Sequence, residues 1–227
     1  MQPETPLLDA RRVARMRIEL SGFPRPAPSA PAQQCKTASR EQQICDIASL
    51  PQYSTGAESE AVLERYLAPS LTVQSRDPGI RAAALEAAPA SLPGMKRIAG
   101  LVAWMDKHIE KAPVDVFSAL DVFKQKKAEC QGHAYLYAVM ARGIGIPTRV
   151  VNGLAYSEEL KGFLFHSWAE SYVEGGWIPV DPTFGQSVAD ATHIKLLEGE
   201  TLADLIPLIE WVGRVKIRVL ALEHGAP

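Results

Sequence analysis

No stretch of this chain approaches the roughly 18 to 20 uninterrupted apolar residues that a bilayer-spanning helix needs. Nor does one sign of charge dominate. Its 24 basic residues stand against 26 acidic ones, for a formal net charge of −2. That balance gives no electrostatic reason to expect a nucleic-acid or anionic-membrane partner. The first residues, Met1-Gln2-Pro3-Glu4-Thr5-Pro6, lack the basic region and apolar run of a secretory signal. A late start site or a trimmed chain would leave the same absence. The expectation is cytoplasmic by default, and exported if the chain is a fragment. Cysteine is scarce, at 3 residues, and the odd count matters. Cys35 and Cys45 lie close enough in sequence to pair in an oxidising compartment, which leaves Cys130 single and worth inspecting as a reactive thiol. The competing reading is three reduced, buried and inert cysteines, the ordinary condition of a free cysteine.

Apolar residues at 47 % and charged residues at 22 % describe an ordinary soluble globular protein. A length of 227 residues allows one generous domain, or a compact core with a smaller extension. Arg12 to Leu20 alternates, with Ala14, Met16, Ile18 and Leu20 opposed to Val13, Arg15, Arg17 and Glu19, and reads as a half-buried strand. Pro24, Pro26, Pro28 and Pro31 then read as an extended linker. Cys35 to Leu50 is weakly patterned, with at best one short strand near Ile44-Cys45-Asp46-Ile47.

From residue 77 helical signals dominate. Asp77 and Pro78 open a helix to Ala88, and Pro93-Gly94 opens another in which Ile98, Leu101, Val102, Met105 and Ile109 recur at helical spacing. Ser118 caps a short helix from Ala119 to about Gln125. The most apolar helix follows, Cys130 to Arg142, stopped by Gly143, Gly145 and Pro147. The period then changes to two. Thr148 to Tyr156, Phe163 to Val173 and Trp177 to Asp181 read as strands, with a tight turn at Glu174-Gly175-Gly176. A helix around Thr201 to Leu208 and a last strand, Arg214 to Leu220, close the chain. There is no internal repeat. Helices followed by sequential strands predict an α+β fold with a central buried helix packed on an antiparallel sheet.

The chemistry gathers at three residues. Cys130 falls in the first turn of the apolar helix, where the positive end of the macrodipole and unpaired N–H groups favour a thiolate. The same N–H groups can stabilise an oxyanion. His166 lies in a strand, on one face with Leu164, Trp168, Glu170 and Tyr172; such a histidine also serves as a hydrogen-bonded core residue. Asp181 ends the next strand. If Glu174-Gly175 is a two-residue turn, Asp181 lies opposite Trp168 and diagonal to His166, roughly 7 to 8 Å away at the backbone. A cysteine activated by a helix end and an imidazole, with the imidazole oriented by a carboxylate, is a nucleophilic acyl-transfer site.

Three segments carry a family resemblance. Ala128-Glu129-Cys130-Gln131-Gly132-His133-Ala134, continuing through Ala141-Arg142-Gly143-Ile144-Gly145-Ile146-Pro147-Thr148-Arg149-Val150-Val151, resembles the nucleophile segment of the transglutaminase-like superfamily. His166-Ser167-Trp168-Ala169-Glu170 resembles its histidine strand, and Gly176-Trp177-Ile178-Pro179-Val180-Asp181-Pro182-Thr183 its aspartate strand. The similarity runs from about Leu67 to the C-terminus. Phe184-Gly185-Gln186 and Ala189-Asp190-Ala191-Thr192-His193 are similar to bacterial members. The resemblance implies a papain-like core over residues 67–227 and a catalytic triad of Cys130, His166 and Asp181. It implies that residues 1–66 are a shortened remnant of a β-rich N-terminal region. Cross-linking is not implied, because the superfamily also holds cysteine peptidases, amide hydrolases and members without activity. Ala128 departs from the glycine or aspartate usual at its position.

The expected function is acyl transfer from peptide or amide bonds through a thioester, to water or an amine, on a protein or peptide substrate. The alternative is a catalytically silent module that binds protein or peptide. No cofactor is expected. Cys130-x-x-His133 suggests metal, but no second ligand pair lies nearby and none is expected to bind. His193 near Asp190 is either a residue at the rim of the site or a structural one, and Trp168 and Glu170 read as packing or supporting groups.

Overall fold

The computed structural model describes residues 1–3, 6–50, 58–115 and 118–225. Residues 4–5 and 51–57 of the expected extension therefore lie outside the described residues. The chain divides into two compact units, one of Gly56–Val151 with Ser167–Val188, the other of Met1–Thr55, Asn152–His166 and Ala189–Pro227.

In the first of these, local signals set the helix boundaries. The predicted starts at Asp77 and Ser118 are true caps: their side chains accept from the backbone N–H of Ile80 and Asp121 and open α2 (Pro78–Ala87) and α4 (Ala119–Gln125). A helix the sequence reading missed, α1 (Glu60–Arg65), is capped in the same way by Ser59. Helix α3 (Gly94–His108) lies so close to α2 that a Cβ on Gly100 would meet the Ala87 carbonyl oxygen at 2.3 Å. Two short parallel strands, β4 (Glu110–Lys111) and β5 (Lys127–Ala128), bracket α4.

Helix α5 (Cys130–Gly143) is the centre of this unit, with every residue from Gly132 to Arg142 buried. Ile80, Ile98, Leu101, Met105 and Val122 from the surrounding helices belong to the same apolar core. Each such side chain contributes about 1.5–3 kcal/mol on burial. The stripe of Ala134, Ala138 and Ala141 is fully buried. Beside it the Tyr137 hydroxyl meets Ser171 Oγ at 2.9 Å, and Ser171 Oγ in turn meets Thr148 Oγ1 at 2.8 Å. These contacts tie α5 to β6 (Thr148–Ser157) and β7 (Gly162–Val173), and burial raises the Tyr137 pKa far above the ordinary phenol value.

Strand β8 (Gly176–Val180) pairs with β7 in antiparallel register, Val173 with Gly176 through to Ala169 with Val180. This is the register a Glu174-Gly175 turn demands. Both residues have positive φ, 53° and 84°, as a type I′ turn requires.

In the other unit, β1 (Val13–Ser21), β2 (Gln33–Thr37), β3 (Gln42–Ala48) and β10 (Lys216–His224) form an antiparallel sheet ordered β10-β1-β3-β2. Met16, Ile18 and Leu20 point into its core as the alternation predicts, while an irregularity between Val13 and Arg15 lets Val13 be buried too. Cys35 and Cys45 face each other across β2 and β3 and are disulfide-bonded.

The single strand expected within 35–50 is in fact a hairpin. Its first arm, Gln33-Gln34-Cys35-Lys36-Thr37, is a polar edge strand without apolar alternation, so pairing and not pattern defines it. The proline-rich stretch is not a free linker either. Ala27 is buried and exchanges two 2.9 Å hydrogen bonds with the Gln43 amide, and Gln33 Nε2 donates to the Pro28 carbonyl. A further missed strand, β9 (Ile194–Glu198), is followed by α6 (Leu202–Ile209), opened by a Thr201–Asp204 capping box. The second four-stranded sheet has the order β8-β7-β6-β9, and β6 and β7 contribute residues to both units. The architecture is α+β, with a buried central helix packed on an antiparallel sheet, as the sequence predicts.

Candidate active site

Cys130 is the first residue of α5, free and partly exposed. The preceding Glu129 is extended and supplies no side-chain cap; its carbonyl accepts from His133 N at 3.0 Å. The first-turn N–H groups of an α-helix have no intrahelical acceptor, and Cys130 is the first residue of that turn. Gln131, next to Cys130, donates through Nε2 to the Tyr135 hydroxyl at 2.7 Å. His133 is buried and its Nδ1 lies 2.9 Å from the Glu129 carbonyl, so this ring braces the helix start. No cluster of metal-binding side chains among the described residues includes His133 or Cys130.

Asp181 follows β8 directly and is completely buried. One carboxylate oxygen accepts from the backbone N–H of Thr183 at 2.8 Å and of Phe184 at 3.1 Å. Its backbone exchanges hydrogen bonds of 2.9 and 2.8 Å with Gln186. Pro182 and the Gln186 bridge thus form a rigid clasp, and charge-assisted bonds hold the carboxylate within it. The observed β7–β8 register, extended by one residue, sets Asp181 opposite Trp168. His166 stands two residues before Trp168 on the same strand.

His166 belongs to the other unit and meets a second histidine there. Its ring lies 5.8 Å from that of His193, at 61°. His193 is buried, with Nδ1 2.9 Å from the Asp190 carbonyl oxygen and 3.5 Å from the Asp190 carboxylate. Arg11 pairs with the other carboxylate oxygen at 2.9 Å, and Thr192 donates to Asp190 through its backbone N–H at 2.8 Å and through its hydroxyl. Burial opposes the charge on Asp190, but His193, Arg11 and Thr192 outweigh it and draw the pKa down to about 2. Sequence reasoning weighed His193 only as a rim or structural residue. The available signal was the Asp-x-x-His spacing, which puts a carboxylate within reach of the ring.

Trp168 and Glu170 have supporting roles. Trp168 is buried, and Glu170 forms a buried pair with Arg149, whose Nε and Nη2 both lie 2.6 Å from Glu170 Oε2. The Arg149 guanidinium sits over the Trp177 ring at 4.1 Å, and Trp177 Nε1 donates to Glu58 at 2.7 Å. These contacts brace the start of β8, the strand that leads into Asp181.

Comparison with known proteins agrees with this architecture. Residues 84–182 match the family model of the transglutaminase-like superfamily. The mouse kyphoscoliosis peptidase is 28 % identical over 114 residues, which is 44 % of this chain but 17 % of that protein. An uncharacterised protein of Mycobacterium leprae is 30 % identical over 98 residues, 40 % of this chain and 34 % of its own length. The chain therefore spans a minor part of these relatives. Among solved structures, a candidate cysteine protease from Cytophaga hutchinsonii aligns over 93 % of this chain and 89 % of its own, with a TM-score of 0.62 at 16 % identity. The periplasmic domain of TgpA from Pseudomonas aeruginosa aligns over 81 % and 86 %, with a TM-score of 0.53 at 18 % identity. Those two likenesses concern the fold. Over residues 84–182 the chain is therefore similar to the transglutaminase-like superfamily.

Proposed function

We propose that the chain is a thiol acyl-transfer enzyme acting on peptide or amide bonds. Cys130 is the nucleophile, His166 the general base and then acid, and Asp181 the residue that orients the imidazole. The observation that carries this reading is Cys130 itself, the one cysteine outside the disulfide, at the first position of a buried 14-residue helix.

In this mechanism His166 takes the thiol proton as Cys130 Sγ bonds to the carbonyl carbon. The first-turn N–H groups of α5 stabilise the oxyanion. The C–N bond then breaks, His166 returns the proton to the leaving amine, and a thioester remains. Water or a second amine resolves it, so the reaction class covers hydrolysis and transfer. The substrate is a protein or peptide, and the catalytic core runs over residues 67–227. The Cys35–Cys45 disulfide favours an oxidising compartment as the working location.

Iodoacetamide should alkylate Cys130 near neutral pH well faster than a free thiol. That excess should vanish on unfolding and in His166→Ala. Equal reactivity in wild type, His166→Ala and unfolded protein would sink the reading. Incubation with a peptide library, with and without an amine donor and against Cys130→Ala, then separates hydrolysis from transfer.

A further inference from the structure

The Asp190–His193 couple is unused by the mechanism above, yet it is built more carefully than a core histidine needs. We propose that His193, clamped by Asp190, is a positioning residue for His166, fixing the plane of its imidazole for proton transfer; this rests on His166 acting as the base. Three observations converge. The two rings are in edge-to-face contact at 5.8 Å, so rotation of one is limited by the other. His193 Nδ1 faces the Asp190 carbonyl at 2.9 Å and the carboxylate at 3.5 Å, which fixes which nitrogen of His193 carries the proton and which edge faces away. Asp190 is itself engaged at both oxygens, by an ion pair with Arg11 at one and by hydrogen bonds from Thr192 at the other.

A buried histidine that served packing alone would be satisfied by one carbonyl. Here a carboxylate is kept ionised behind it, with its pKa drawn to about 2 against the cost of burial. Charged groups bearing on His193 include Asp190 from its own turn and, through Asp190, Arg11 from the short helix before β1. Acting through this carboxylate–imidazole couple, the protein restrains the ring of His166.

The test uses the full chain and reads the alkylation rate of Cys130 by iodoacetamide between pH 5 and 9, as about a four-unit window around the free-thiol and imidazole values. Thermal unfolding is followed in parallel. His193→Ala and Asp190→Asn should slow alkylation about 10-fold at neutral pH and move its midpoint toward that of a free thiol. His193→Gln, which keeps a donor toward Asp190, should recover most of the rate. If His193→Ala does not fold, Asp190→Asn decides the matter. Wild-type rate and midpoint in folded His193→Ala or Asp190→Asn overturn the proposal while His166→Ala remains slow. If His166→Ala also reacts like wild type, the acyl-transfer reading falls and this inference with it.

Discussion

Substituting Glu170 by glutamine tests how the base of the β7–β8 hairpin is held. The change preserves shape and removes one charge. In the native structure Arg149 Nε and Nη2 both reach Glu170 Oε2 at 2.6 Å, and both side chains are buried. At an effective dielectric constant of about 20, unit charges about 4 Å apart attract by about 4 kcal/mol. Glutamine forfeits most of that and strands the guanidinium, whose remaining support includes the Trp177 ring at 4.1 Å. Removing one partner of a buried pair costs about 3–5 kcal/mol. With a urea slope of about 2 kcal/mol/M, the unfolding midpoint should fall by about 2 M. Tryptophan fluorescence is the assay, since Trp177 lies directly under the guanidinium. The double variant Arg149→Met/Glu170→Leu removes both charges and should lose far less than the sum of its single changes. A Glu170→Gln shift below about 0.5 M, or a double variant as damaged as that sum, would refute the reasoning.

Two further outcomes are expected. The Cys35–Cys45 bond closes a loop with a sequence separation of 10, worth about 3 kcal/mol on the chain-entropy account, so reduction should lower Tm by about 10 °C. Thiol titration of the unreduced, unfolded protein should count a single thiol; a count of all three would contradict the bond. For Asp190 the folded pKa is depressed from 3.8 to about 2. Its contribution, about 2 kcal/mol, is therefore present above pH 4 and lost as pH falls through the folded value. Asp190→Asn should flatten that part of the stability curve, measured by urea midpoints between about pH 2 and 6. A wild-type curve already flat there would remove the basis for an ionised Asp190.

Much of the fold was legible because its signals are local. Asp77, Ser118 and Gly143 mark helix ends through bonds made within a few residues, and the periodicity of Ile98, Leu101 and Met105 names the face they bury. Glu174 and Gly175 were readable in the same way, since a type I′ turn sets the pairing of everything after it. The misreadings share a different cause. Strand β2 is polar, and the segment from Pro24 to Pro31 has no period, so only their partners reveal them: β3 for the one, the Gln43 amide for the other. Strand β9 is too short to outweigh its surroundings by pattern.

The candidate site divides along the same line. By itself the sequence determined the chemistry on offer: a lone thiol at the start of a buried helix, and a histidine and an aspartate on consecutive strands. These are properties of residue type and short-range spacing, which the chain carries before it folds. Tertiary structure alone decided that Cys35 and Cys45 pair, that Asp181 sits in a clasp with Gln186, and that His193 with its carboxylate comes to rest against His166. Each of those depends on burial and on partners the chain brings together only once packed, where an unpaired charge or an unsatisfied ring is too costly to leave.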